Sequence, residues 1–331
     1  LENVSMRFIS FTSILGFCLA LMHAFGGSIL ANEYPDKPIK ILVPAAPGGG
    51  ADFIARTMSN RLTEAFGQNI VIENRAGASG TIAAELMTKS APNGYTILLA
   101  QSTLTVIAPH LYKKLNYDTL KDMVPVTMVA QMPFMMVVHP SIPANNVKEL
   151  IAYAKAKPGE LNFSSSGNGA GSHLAGEMFN GATGLKLTHV PYKGAGPAIN
   201  AAVAGEVQIA FAPIVAVLPL VKSNRLKAIA VTTMNRSLAS PETPTLAESG
   251  LAGFDINTWF GLFVPANTPQ EIVDRIHREA VKVIKHPEVA ERFIREGADP
   301  VGNTSAEFGK IVRSEYIKFA KIVKDSGAKI D

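Results

Sequence analysis

The sequence predicts an α/β protein of two lobes, with parallel-rich sheets covered by helices on both faces. Three observations predict it. From Pro38 onward, short β-branched runs alternate with amphipathic helical stretches, as in parallel sheets buried on both sides. There are about ten such runs, a crowd for one sheet, and no obvious linker separates them. Two glycine-rich segments each stand between a strand and a helix.

The elements follow in order. Ile39–Val43 reads as a strand, and after a glycine loop a helix runs from Ala51 to Phe66. Ile54, Met58, Leu62 and Phe66 recur on one face of that helix, and Gly67 stops it. A strand at Ile70–Ile72, a helix near Ile82–Thr88 and a strand at Thr96–Ala100 come next. Separate strands are expected at Val124–Val129 and Phe134–Val138, the second ended by His139-Pro140. Helix Val147–Ala156, strand Leu161–Ser164, helix Ser172–Asn180 and strand Leu187–Val190 follow. Helix Ala195–Ala204, strand Val207–Phe211, a helix through Leu220 and strand Lys227–Thr232 complete the alternation. The tail differs: a strand at Asp255–Val264 precedes helices near Pro269–Lys285, Pro287–Glu296 and Ser305–Lys324. Thr268-Pro269 and Thr304 mark two of their starts.

Composition narrows the function. With 47% hydrophobic residues the 331-residue chain can bury a real core and is no disordered tail. Its formal charge of +4, spread without basic blocks, makes no case for nucleic acid. The single Cys18 excludes a disulfide framework and a thiolate metal cluster. Cys18 lies in the apolar run Phe8–Phe25, behind Arg7 and ahead of Gly26, Gly27 and Ser28. That order describes a secretory signal peptide over residues 1–31, with a cut near Ala31 and Met6 as the natural start. A retained membrane anchor is the alternative. A lipid-modified Cys18 is disfavoured by Phe17, where a small residue is expected. Once cut, the chain would hold no cysteine, which suits an oxidising compartment.

The two glycine segments carry the functional signal. The first is Pro44-Ala45-Ala46-Pro47-Gly48-Gly49-Gly50-Ala51-Asp52. The second is Ser164-Ser165-Ser166-Gly167-Asn168-Gly169-Ala170-Gly171-Ser172-His173. Glycines allow backbone amides to converge on a small group, and a helix start behind them adds free N–H groups and partial positive charge. Together they suggest one anion gripped from two sides. Tight βα turns use glycine for geometry alone, so neither segment decides the matter by itself.

Neither segment is a nucleotide fingerprint. The first lacks the Lys-Ser/Thr of a P-loop, and Ser172 occupies the third glycine position of GxGxxG. No serine sits in a nucleophile elbow, there is no HExxH, and the histidines lack ligand-like spacing. No cofactor, metal or catalytic residue is therefore assigned. His173 and His189 read more readily as structural hydrogen-bonders than as catalysts.

In order along the chain stand Tyr34-Pro35-Asp36-Lys37-Pro38-Ile39, the PGGGAD loop, Glu73-Asn74-Arg75-Ala76-Gly77-Ala78 and Asn93-Gly94-Tyr95-Thr96-Ile97-Leu98. The SSSGNGAGSHL stretch, Val190-Pro191-Tyr192-Lys193-Gly194, Pro244-Thr245-Leu246-Ala247-Glu248-Ser249-Gly250 and Pro265-Ala266-Asn267-Thr268-Pro269 continue the series. In this order they resemble the periplasmic solute-binding receptors of tripartite tricarboxylate transporters, the Bug type, from Tyr34 to Asp331. The resemblance implies a two-lobed periplasmic binding protein fold, type II-like, with two crossover strands. Domain 1 would comprise 34–132 plus 253–331 and domain 2 would comprise 133–252. It implies a small carboxylate held in the cleft by backbone amides and water, and a partnership with inner-membrane permease subunits in the periplasm. A monomer is expected.

Carried over by position, the first lobe would contribute Gly48, Gly49, Gly50, Asp52, Ser102 and Thr103. The second would contribute Ser166, Gly167, Asn168, Gly169, Ser172 and His173, with Tyr192 and Lys193 as further cleft candidates. Arg75 reads as a structural ion-pairing residue. Many relatives carry an aspartate shortly after the strand equivalent to Val207–Phe211. Here the stretch is Phe211-Ala212-Pro213-Ile214, so Ala212 marks a site without a partner for an ammonium group. The expected ligand is a mono- or dicarboxylate without one. A sensory binding protein using the same cleft, and an exported carboxylate-processing enzyme using His173, are the alternatives.

Overall fold

The computed structural model describes residues 34–77 and 80–326. The expected signal peptide lies outside the described residues. Strand β1 (Ile39–Val43) leads through the first glycine loop into α1 (Gly50–Phe66), which Gly67 ends in a left-handed cap. Strand β2 (Ile70–Asn74), α2 (Thr81–Thr88) and β3 (Thr96–Gln101) follow. A π-helical turn, Thr103–Ile107, then runs into the short α3 (Ala108–Leu111), and α4 (Thr119–Asp122) precedes β4 (Met123–Val138).

The chain continues through α5 (Val147–Ala156), β5 (Asn162–Ser165), α6 (Gly171–Thr183), β6 (Thr188–Pro191) and α7 (Ala195–Ala204). Strand β7 (Ile209–Pro213), α8 (Ile214–Lys222), β8 (Lys227–Val231) and β9 (Asn257–Pro265) come next. The last elements are α9 (Gln270–Ile284), α10 (Pro287–Arg295), β10 (Asp299–Pro300) and α11 (Ser305–Ser326). Among the described residues no helix is long and apolar enough to cross a membrane.

The sheet order is β2-β1-β3-β9-β4-β7-β5-β6, with β8 and β10 paired to β4 off that path. The outer strands pair parallel, β1 with β2 and β3, and β5 with β6 and β7. The centre does not: β9 and β4 run antiparallel to all their partners. The two strands expected at Val124–Val129 and Phe134–Val138 are one 16-residue strand. Its first part pairs with β9 through Pro133, and from Phe134 onward it pairs with β7 and β8. Pro133 has no N–H to give a ladder, so it sits where one ladder ends and the other begins. The turn and short helices between Ser102 and Asp122 also escape periodicity, because each is too short to show it.

A second connection passes between the two sheets just before β9, and one side chain ties it to β4. Thr232, fully buried, accepts the Phe134 N–H at 3.1 Å and donates its hydroxyl to the Ile256 carbonyl at 2.6 Å. Ladder-like bonds reinforce it, from Thr232 N–H to Phe134 and from Ile256 N–H to Thr232. Nearby, Trp259 Nε1 donates to the buried Glu315 of α11, and Lys318 reaches the Asp255 carbonyl at 2.9 Å. Helices α9 and α10 pack on α1, and α11 packs on β4 and the Thr103–Ile107 turn.

Replacing Thr232 with valine keeps the shape but orphans the Phe134 N–H, which costs about 1–3 kcal/mol. Urea unfolding should show that loss for Thr232→Val and most of it restored in Thr232→Ser. A valine variant within about 0.5 kcal/mol of the parent would contradict the assignment.

Candidate functional site

The starts of α1 and α6 meet the same stretch of β4 and β9. A Cβ on Gly50 would lie 3.4 Å from Cζ of Phe260 and 3.8 Å from Sδ of Met132. A Cβ on Gly171 would lie 2.8 Å from Cζ of Phe134 and 3.9 Å from Oγ1 of Thr258. Met132 stands directly opposite Thr258 in the ladder, and Phe134 and Phe260 are each two residues further along their strands. Two residues of strand span about 7 Å. The two glycine segments, far apart in sequence, thus open onto one patch.

In the first segment Asp52 is buried and braces the loop from inside. Its carboxylate accepts the Gly48 N–H at 2.8 Å, the Asn74 side-chain amide at 2.9 Å and Arg56 Nε at 3.0 Å. Burial pushes its pKa up, but the bonds from Arg56, Gly48 and Asn74 outweigh burial and hold it at about 2. The Asp52 carboxylate, expected at the ligand, has its acceptors engaged within the loop, while its backbone N–H has no partner. Gly48, at φ +85°, needs glycine's freedom there. Gly49 N–H bonds to the Ala46 carbonyl at 3.3 Å.

The second segment is braced in the same manner. Ser166 N–H bonds to Ser172 Oγ at 3.0 Å, Gly167 N–H to Ser165 Oγ at 3.2 Å, and Gly169 N–H to His173 Nδ1 at 3.1 Å. His173 therefore carries its proton on Nε2, which lies 3.8 Å from Glu177. Its ring stacks on His189 with centroids 3.9 Å apart, and His189 Nε2 lies 2.6 Å from Ser165 Oγ. Burial lowers the pKa of both rings, and the His173 neighbour helps bring His189 down to about 4.

Counting backbone donors locates the available ones. The expected amides of Gly48, Gly49, Ser166, Gly167 and Gly169 are all bonded within their own segments. Among the described residues, the N–H groups of Gly50, Ala51 and Asp52 have no partner, and neither do those of Asn168, Gly171, Ser172 and His173. Neither helix has a side-chain cap. All but Asn168, which lies in the loop, are first-turn donors, which a helix cannot satisfy itself, and they carry the positive end of its dipole.

The remaining expected residues divide. Thr103 lines a cavity of about 280 Å³ with Pro44, Gly77, Gly80, Gln101 and Leu104, beside the first segment. Ser102, just past the end of β3, is buried, with its Oγ 3.5 Å from the Asn257 carbonyl. Tyr192 N–H extends the ladder to Ser165, while its ring packs on the cluster around Met135 and Val137. Lys193 is exposed. The Ala212 methyl is buried in that same cluster, because Ala212 pairs with Met135 and shares its face. Arg75 pairs with Glu73. Among the described residues no group of three or more His, Cys, Asp or Glu is placed to hold a metal ion. A larger groove of about 1210 Å³ lies elsewhere, between α6, residues 250–254 and α11. It lacks the glycine segments and their free amides.

Gln101, Met132 and Thr258 were not anticipated. They belong to strands rather than glycine segments, and only the pairing register shows which face they share.

The model of the tripartite tricarboxylate transporter family receptor matches residues 54–328 of the chain. Protein BugT of Bordetella pertussis is 33% identical over 326 residues, covering 98% of this chain and all of BugT. The structure of R. palustris Rpa4515 with adipate is 32% identical, with a TM-score of 0.74, covering 90% of this chain and all of that one. MatC (Rpa3494) from Rhodopseudomonas palustris with bound malate is 30% identical, with a TM-score of 0.69, covering 88% and 100%.

The buried histidines give the fold a pH dependence. Unfolded, His189 takes a proton near pH 6.5; folded, it resists until about 4. In that window the unfolded chain binds more protons, so stability falls as the pH is lowered. Urea midpoints should drop between pH 6.5 and 4, and drop less in His189→Gln. Equal drops in both proteins would contradict this assignment.

Proposed function

The chain belongs to the tripartite tricarboxylate transporter receptor family, and on that footing we propose that it captures a small carboxylate between the starts of α1 and α6. It works in the periplasm and delivers the acid to the inner-membrane permease subunits of such a transporter. The observation that carries this reading is the set of unpaired amides on two helix starts opening onto one patch. The bound adipate and malate of two similar receptors support the same ligand class.

The magnitudes suffice without a cationic side chain. A hydrogen bond to a charged group contributes about 1.5–3 kcal/mol, so four give about 6–12 kcal/mol before the costs of association. Micromolar binding needs about 8 kcal/mol. Residues 34–132 with 253–331 form one lobe and 133–252 the other, joined at β4 and at the segment before β9. Closing them brings the second helix start onto an acid docked on the first. The closed form differs in shape from the open one, which gives a permease something to recognise.

The ligand carries no ammonium group. Asp52, the acid of the first segment, is spent on Gly48, Arg56 and Asn74, and Ala212-Pro213 offers no carboxylate. His173 serves the loop through Nδ1, which favours capture over chemistry.

A melting screen against mono-, di- and tricarboxylates and acidic amino acids tests the proposal. A cognate acid at about a hundred times its Kd adds about 2.7 kcal/mol and raises Tm by a few degrees. No shift with any acid would overturn the receptor reading. Shifts with aspartate or glutamate but not with simple dicarboxylates would overturn the ligand class.

A further inference from the structure

Helix-start amides treat all carboxylates alike, so discrimination between acids must come from side chains beside them. Gln101, Met132 and Thr258 are half-buried and share one face. Gln101 stands opposite Phe260 in the β3–β9 ladder, and Met132 opposite Thr258 in the β4–β9 ladder. Residues directly opposite, or two apart on one strand, lie on the same side of a sheet. The approach of Phe260 to Gly50 and of Thr258 to Gly171 identifies that side as the one onto which α1 and α6 open.

Gln101 and Thr258 are diagonal neighbours, a relation that sets residues about 7–8 Å apart. Polar side chains around them are bonded internally: Ser102 and Thr105 to backbone carbonyls, Thr232 to Ile256, Asn74 to Asp52. The side chains of Gln101 and Thr258 have no hydrogen-bond partner among the described residues. Gln101 also faces the 280 Å³ cavity beside the first segment, room for a small polar substituent. Between them Met132 and Phe260 offer apolar surface, and a thioether adapts to differing chain shapes.

The geometry points to Gln101 and Thr258 as the specificity-determining groups, reading a hydroxyl or carbonyl substituent on the carbon chain of the bound acid. This rests on the receptor reading above. A threonine hydroxyl donates and accepts, and a glutamine amide offers both, so either matches a hydroxyl and both can donate to a carbonyl. Met132 and Phe260 cover the hydrocarbon. An acid without the substituent leaves both polar groups unpaired once water is excluded, which disfavours it by about tenfold or more.

Calorimetric titration of the full chain with matched acids tests this, succinate against malate and glutarate against 2-oxoglutarate. In the parent, the substituted acid of at least one pair should bind about tenfold tighter or more. Thr258→Val and Gln101→Leu should each narrow that ratio, and Thr258→Ser should preserve it. Melting curves of the free variants confirm that they fold. Equal binding within both pairs, or a ratio unmoved in both variants, overturns the inference and leaves the receptor reading standing. Binding of none of the acids overturns the receptor reading, and the inference with it.

Discussion

Six backbone N–H groups at the starts of two helices have no partner within the described chain, and the surrounding structure keeps them so. An α-helix cannot satisfy its own first donors, and the usual remedy is a side-chain oxygen at the cap. Here Gly49 and Ala170 occupy the cap positions and offer none. The nearby polar side chains, Asp52, Ser165, Ser172 and His173, are turned instead on the preceding loop amides. Those bonds hold each glycine segment in shape while the helix start stays open. An arrangement that spends its side chains on the loop and none on the helix leaves the positive end of the dipole for an anion.

Bringing two such ends together depends on the central strands. Strand β4 serves both sheets and changes partners at Pro133–Phe134, and β9 runs beside it through the same region. Thr232 ties Phe134 to Ile256 at that point, so the two connections are held side by side there. Met132, Phe134, Thr258 and Phe260 then form the patch on which Gly50 and Gly171 rest. Glycine is required at 171, because a Cβ there would press on the Phe134 ring.

Much of this was legible in the sequence. Helix periodicity located the helices over Val147–Ala156 and Ala195–Ala204 without error, and it located α1 to within one residue. The glycine segments stand between a strand and a helix, as their sequence suggested. Three things were not legible, each for a physical reason. The continuity of β4 was hidden by Pro133, which reads as a break but marks a change of pairing partner. The identity of the free donors required knowing which amides Asp52, Ser172 and His173 already hold. The face of Gln101 follows from ladder register, and a strand end gives no periodicity long enough to show it.

In the proposed complex both helix starts hold one acid. Backbone ¹H–¹⁵N shifts of Gly50, Ala51, Asp52, Gly171, Ser172 and His173, followed through a titration with a carboxylate that raises Tm, test it most directly. Both groups of amides should move along one binding curve with one Kd. Movement confined to one helix start, or shifts in the already bonded amides of Gly48, Gly167 and Gly169 alone, would contradict it.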